Sequence, residues 1–174
     1  MITASAAGGP ASPPLLLSLR LGSEGSAGPG AAGAPLLRLA LSAEERTRLR
    51  GLRHSSDGQP LLLQLPRGEP LRPGELLAPA TGPERVRVEA APEPLLRVRA
   101  ADGLALLQAA YHLGNRHVAL EIHAQELRLL HDPVLAHLLE HRGLSLEPIE
   151  APFLPESGAY GHGHAPPREG GHGH

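Results

Sequence analysis

Aromatic side chains are almost missing from this chain. It has one Phe (Phe153), two Tyr (Tyr111 and Tyr160) and no Trp. Large rings supply much of the buried area in ordinary cores, so the interior here has to be built from Leu, Val and Ala. There is no Cys, so no disulfide can staple the fold and no thiolate can bind a metal. A chain of 174 residues suffices for one ordinary domain or two small ones, and two small ones would each be modestly stable.

Charge narrows the functional classes. All 16 basic residues are Arg, against 18 acidic ones, for a net charge of −2. That balance gives no electrostatic footprint for nucleic acid or anionic lipid, and no aromatic platform exists on which bases could stack. The first apolar run, Leu15 to Leu19, is too short for a membrane span and has no basic residue before it. The chain reads as soluble and cytoplasmic.

Turn residues divide the chain. Residues 1–13 are rich in Ala, Gly, Ser and Pro and read as disordered. Leu15 to Leu21 and Leu36 to Leu41 read as strands around a Gly/Ala/Pro loop. Ser42-Ala43-Glu44-Glu45 fits a capping box, leading into a short helix or a turn. Ser56-Asp57-Gly58 marks a hairpin, Pro60 to Leu65 its return strand, and Leu71 to Leu77 begins another strand. Residues 14–80 therefore read as a small all-β domain, with 79–83 as a linker.

Residues 81–150 read differently. Val86 and Val88 alternate with Arg, and 96–98 is extended. A helix over 104–113 follows Asp102 as N-cap, with Leu106, Leu107, Ala110 and Tyr111 at helical spacing and Gly114-Asn115 as its stop. Val118 to Ile122 and Glu126 to Leu130 read as strands. Asp132-Pro133 opens a second helix with Val134, Leu135, Leu138 and Leu139 on one face, and Leu144 to Ile149 closes the pattern. Strand, helix, strand, strand, helix, strand is the ferredoxin-like βαββαβ order. The predicted fold class is α+β: a small all-β domain, a ferredoxin-like domain, and a flexible His-containing tail over 151–174.

Eleven His is a high count, and their placement is informative. The tail carries His162-Gly163-His164 and His172-Gly173-His174. Imidazole is a good ligand for nickel, copper and zinc. Glycine between two His lets both rings meet one ion, and the interrupted spacing is unlike an engineered tag. His117, by itself, reads as an ordinary polar residue in a connection. His137 and His141, four apart, share a helix flank and read as solvated. His131 adjoins the cap Asp132. His54, His112 and His123 stand alone. No phosphate-cradling G-x-x-x-x-G-K, G-x-S-x-G or H-E-x-x-H occurs, so nothing points to an enzyme.

Residues 110–118, Ala-Tyr-His-Leu-Gly-Asn-Arg-His-Val, resemble the signature of the UreE family of urease accessory proteins, which are nickel metallochaperones. Leu63-Gln64-Leu65-Pro66-Arg67-Gly68, Leu41-Ser42-Ala43-Glu44-Glu45-Arg46, Phe153-Leu154-Pro155-Glu156 and Gly158-Ala159-Tyr160 extend the likeness over roughly 36–174. The resemblance implies an N-terminal β domain that contacts partner proteins and a C-terminal domain that dimerises. It implies that His117 and its copy across a homodimer share one Ni²⁺, with Zn²⁺ or Cu²⁺ as in vitro substitutes, and that His162, His164, His172 and His174 complete the shell. His131 matches a secondary surface site, although Pro133 stands where its companion His would be. Ala119 stands where the family often has Pro. Delivery to urease implies contact with the urease accessory GTPase and the assembly complex. A histidine-based metal buffer and a peptide-binding interaction module are the alternative readings.

Overall fold

The computed structural model describes residues 13–23 and 36–157. Most of the expected disordered N-terminus, the 24–35 loop and the tail from 158 on, with His162, His164, His172 and His174, lie outside the described residues.

The first unit holds β1 (Leu15–Leu17), β2 (Leu19–Ser23), β3 (Leu36–Leu41), α1 (Ala43–Thr47), β4 (Arg50–His54), β5 (Pro60–Gln64), β6 (Glu75–Ala78) and β7 (Arg85–Ala90). They form two sheets, ordered β1-β5-β4 and β2-β6-β7-β3. Leu17, Leu61 and Leu63 of the first sheet and Leu39, Leu41, Val86 and Val88 of the second share one wholly aliphatic core. The expected single strand at Leu15–Leu21 is broken at Ser18. Its N–H donates to Ala78 O at 3.1 Å, so the chain pairs first with β5 and then with β6. The capping box does form. Ser42 Oγ accepts from Glu45 N at 3.1 Å and Glu45 Oε2 accepts from Ser42 N at 3.0 Å, starting a five-residue helix. Leu71 is not yet strand; a turn carries the chain to Glu75, where β6 starts.

The expected division at 80/81 moves. β7 pairs with β3 in parallel and with β6 antiparallel, so Val86 and Val88 belong to the first core rather than the second. The Pro/Gly run at 79–83 is a turn between two paired strands, not a linker. The chain leaves this unit at Ala91, whose N–H donates to Leu41 O at 2.9 Å.

The second unit holds β8 (Pro92–Arg99), α2 (Gly103–Gly114), β9 (Glu121–Ile122), β10 (Leu127–Leu130), α3 (Pro133–Glu140) and β11 (Ser145–Pro152). Its sheet runs β11-β8-β10-β9 with every pairing antiparallel, the ferredoxin-like arrangement. Leu96, Val98, Leu127 and Leu129 pack against Leu106, Ala109 and Leu113 of α2 and Leu139 of α3. Asp102 caps α2 through Ala105 N at 2.8 Å. Asp132 caps α3 through Val134 N at 2.7 Å and Leu135 N at 3.0 Å. The fold is thus α+β, as the pattern of elements predicts.

The other face of this sheet carries interlocked charges. Glu126 meets Arg128 at 2.7 Å and Arg99 at 2.9 Å, and Arg97 meets Glu147 at 2.9 Å. Burial alone would raise the Glu126 carboxyl. Hydrogen bonds from Arg128 and Arg99, with the charges of Arg128 and Arg97, outweigh that and hold it below the usual carboxylate value.

The expected tail start at 151 also moves. β11 runs on to Pro152, because Ala151 and Pro152 stay in register with Glu93 and Pro92. Phe153, the single Phe, is fully buried. Leu154 N donates to Glu121 Oε2 at 3.0 Å and Glu156 N to Leu120 O at 2.7 Å. The two units are joined at a polar seam. Buried Arg46 donates through Nη1 to Leu41 O at 3.1 Å and through Nη2 to Phe153 O at 2.6 Å. Glu93 of β8 accepts from Ala43 N at 2.7 Å. Burial pulls the Arg46 guanidinium below its ordinary value, and the charge of Glu93 works in the opposite direction. Among the described residues no helix is long and apolar enough to cross a membrane.

Candidate metal centre

His117 stands just past the end of α2 with φ of 57°, the only positive value among the described non-glycine residues. Val118 N donates to Leu113 O at 3.1 Å and His117 N to Gly114 O at 2.9 Å. This pair of bonds is the Schellman motif, and it puts His117 at the position that glycine normally fills. α3 ends with the same two bonds, Leu144 N to Leu139 O at 3.2 Å and Gly143 N to Glu140 O at 2.8 Å, and there the left-handed residue is Gly143. One motif thus occurs twice, once with the residue that suits it and once with a histidine that does not. Backbone strain kept at one residue is a pointer to function. The expected stop at Gly114-Asn115 is displaced: the helix continues through Gly114, and Asn115 is right-handed at φ −63°.

The His117 side chain is exposed. The helix leading to it has two apolar faces. Leu106, Ala109 and Leu113 are buried, whereas Leu104, Leu107 and Tyr111 are 66%, 70% and 67% exposed. The sequence places Leu107 and Tyr111 at helical spacing with Leu106 and Ala110. The structure turns them outward, into a stripe that runs toward the Gly114-Asn115-Arg116-His117 corner. Three residues after His117, and so within about 11 Å of it along the chain, Leu120 O takes the bond from Glu156 N at 2.7 Å. The segment that precedes the tail histidines is therefore fastened beside the His117 corner.

The remaining histidines are dispersed. His131 is exposed and its N–H donates to Pro94 O at 2.9 Å. Its neighbour Asp132 is occupied in capping, and Pro133 occupies the first turn of α3. His123 Nε2 lies 2.7 Å from Glu121 Oε1. His112 stacks edge-on to Tyr111, with ring centroids 5.5 Å apart. His137 and His141 on α3 face each other edge-on at 4.6 Å. Among the described residues no group of three or more His, Asp or Glu could hold a metal ion. A single copy of residues 13–23 and 36–157 therefore offers His117 as one presented imidazole, not as a closed cage.

A β unit sealed to a ferredoxin-like unit, with an exposed histidine on a strained helix end, defines a two-domain α+β protein. Residues 20–91 match the family model of the UreE urease accessory protein N-terminal domain, and residues 93–174 that of its C-terminal domain. The chain is 59% identical over 129 residues to the urease accessory protein UreE of Parasynechococcus marenigrum (strain WH8102), spanning 74% of this chain and 86% of that one. It is 62% identical over 125 residues to UreE of Synechococcus sp. (strain WH7805), spanning 72% and 71%. With UreE of Thermosynechococcus vestitus (strain NIES-2133 / IAM M-273 / BP-1) the identity is 53% over 128 residues, spanning 74% and 88%. The chain belongs to the UreE family of urease accessory proteins, which are accessory chaperones and not enzymes.

Proposed function

We propose that this chain is a cytoplasmic, homodimeric nickel metallochaperone that delivers Ni²⁺ during assembly of the urease active site. The observation that carries the reading is His117: an exposed imidazole held in a left-handed backbone position at the end of a helix whose outer stripe, Leu104, Leu107 and Tyr111, is uncovered. An uncovered apolar stripe of this kind suits contact with another protein surface. Two copies meeting along it would bring two His117 rings to one ion, each giving a nitrogen lone pair.

Two imidazoles leave a nickel ion short of a full shell. His162, His164, His172 and His174 supply the further nitrogens. Their segment starts from the strap at Glu156, beside the His117 corner. His131 adds a weaker surface ligand. All-imidazole ligation at an exposed position favours an ion that can be handed on, because no buried cage has to open. Nickel here is cargo. The recipient is the urease accessory GTPase within the urease assembly complex, and the β unit is the surface offered to that machinery.

The test is nickel titration calorimetry on the full chain and on His117→Ala, with sedimentation velocity alongside. His117→Ala is expected to lose the tightest site while the dimer persists. An unchanged titration removes His117 from the site. A protein that stays monomeric at all concentrations, with or without nickel, removes the shared-ion arrangement.

A further inference from the structure

His137 and His141 lie one turn apart on α3, both exposed, with ring centroids 4.6 Å apart and ring planes at 88°. They are unlike His123, which is held by Glu121. Among the described residues neither of these two rings has a hydrogen-bond partner. The backbone beneath them is well fixed. Asp132 caps the start of α3, Gly143 closes its end, and His141 N donates to His137 O at 3.1 Å. Residues four apart on a helix point the same way, with Cβ atoms roughly 5–6 Å apart. That spacing lets one helix face present two imidazoles to a single ion. The residues between them are Leu138, Leu139 and Glu140, so the run reads H-x-x-E-H, with its Glu just before the second His.

We propose that His137 and His141 form a second divalent-metal site, bidentate on the protein side and completed by water, separate from His117. It goes beyond the function proposed above and needs neither a dimer nor the tail. Their exposure leaves both side chains able to rotate. With two protein ligands the site is weaker and exchanges faster than one with three or four. Its preference follows ligand chemistry, Cu²⁺ above Ni²⁺. A metal held across this turn ties the last turn of α3 together, so binding is readable as resistance to local opening.

The experiment is amide hydrogen exchange on the full chain, followed at residues 137–143, with NiCl₂ or CuCl₂ added at increasing concentration. Metal at ten times the dissociation constant is expected to slow exchange there about elevenfold. His137→Ala and His141→Ala are each expected to abolish the slowing, whereas His117→Ala is expected to keep it. The glutamine variants His137→Gln and His141→Gln repeat the test with a polar side chain of similar reach, should either alanine variant loosen the helix without metal. No slowing with Cu²⁺, slowing that survives in either single variant, or slowing lost in His117→Ala each overturns the proposal.

Discussion

At the scale of single residues, the His117 backbone is where stability and ligand presentation oppose each other. An L-residue in the left-handed region loses roughly 1–2 kcal/mol relative to its preferred conformations, and glycine loses almost none. Replacing His117 by Gly is therefore expected to raise the unfolding free energy by about 1 kcal/mol, and His117→Ala is expected to leave it nearly unchanged. Urea unfolding of the metal-free proteins checks this. A glycine variant no more stable than the alanine one would show that the strain is relieved elsewhere. Glu126 supplies a second prediction at this scale. Its folded-state value is depressed from the ordinary 4.5. Its contribution to stability is thus fully present above that value and is lost as the pH falls through the folded value. Glu126→Gln is expected to destabilise the protein at pH 7 and to flatten the acid limb of stability below about pH 4.5. Parallel curves for variant and parent between pH 6 and pH 3 would show that Glu126 does not set that limb.

At the scale of elements, what the sequence makes legible is the set of local devices. Ser42 with Glu45, Asp102 and Asp132 with Pro133 each declare a helix start through chemistry that acts within four residues, and all three caps form. What stays hidden depends on distant partners. Val86 and Val88 announce a strand, but their alternation cannot say which sheet takes it, and the parallel pairing to β3 reaches back across more than forty residues. The face of α2 is hidden for another reason. Leu104, Leu107 and Tyr111 repeat as regularly as Leu106, Ala109 and Leu113, so periodicity offers two inner faces and cannot choose. His117 stands out in the sequence only through the Gly-Asn-Arg-His motif. Its left-handed backbone has no sequence mark, since Gly114 and Asn115 are the better candidates on composition. The outer stripe gives the prediction here. Leu107→Glu leaves the core untouched and is expected to weaken self-association at least tenfold, on the scale of about 1.4 kcal/mol per factor of ten, measured by sedimentation equilibrium. A variant that associates as well as the parent would move the contact elsewhere.

At the scale of the whole molecule, the two units are bound by charged side chains that reach across the seam from both sides. Arg46 serves Leu41 O and Phe153 O together, and Glu93 returns the contact through Ala43 N. Hydrogen bonds from a charged donor each contribute about 1.5–3 kcal/mol when buried. Arg46→Ala is expected to cost that order of stability and to split a single thermal transition into two, because the aliphatic cores no longer melt together. Scanning calorimetry reads this directly, and one sharp transition at an unchanged temperature would argue that the seam is held by other contacts. The same strap that Arg46 grips also fixes the point from which the chain runs on toward His162. Glu156 is tied to Leu120, and only five residues separate it from His162. Under the proposed function, a tether so short would keep the His162 nitrogens at an effective concentration on the order of millimolar around the helix corner. An ion that slips from one nitrogen would then be recaptured far more often than it escapes to bulk water. Under the proposed function, loss of cargo would be slow even though every individual bond is quick, and only a competing protein that enters this small volume could take the ion away.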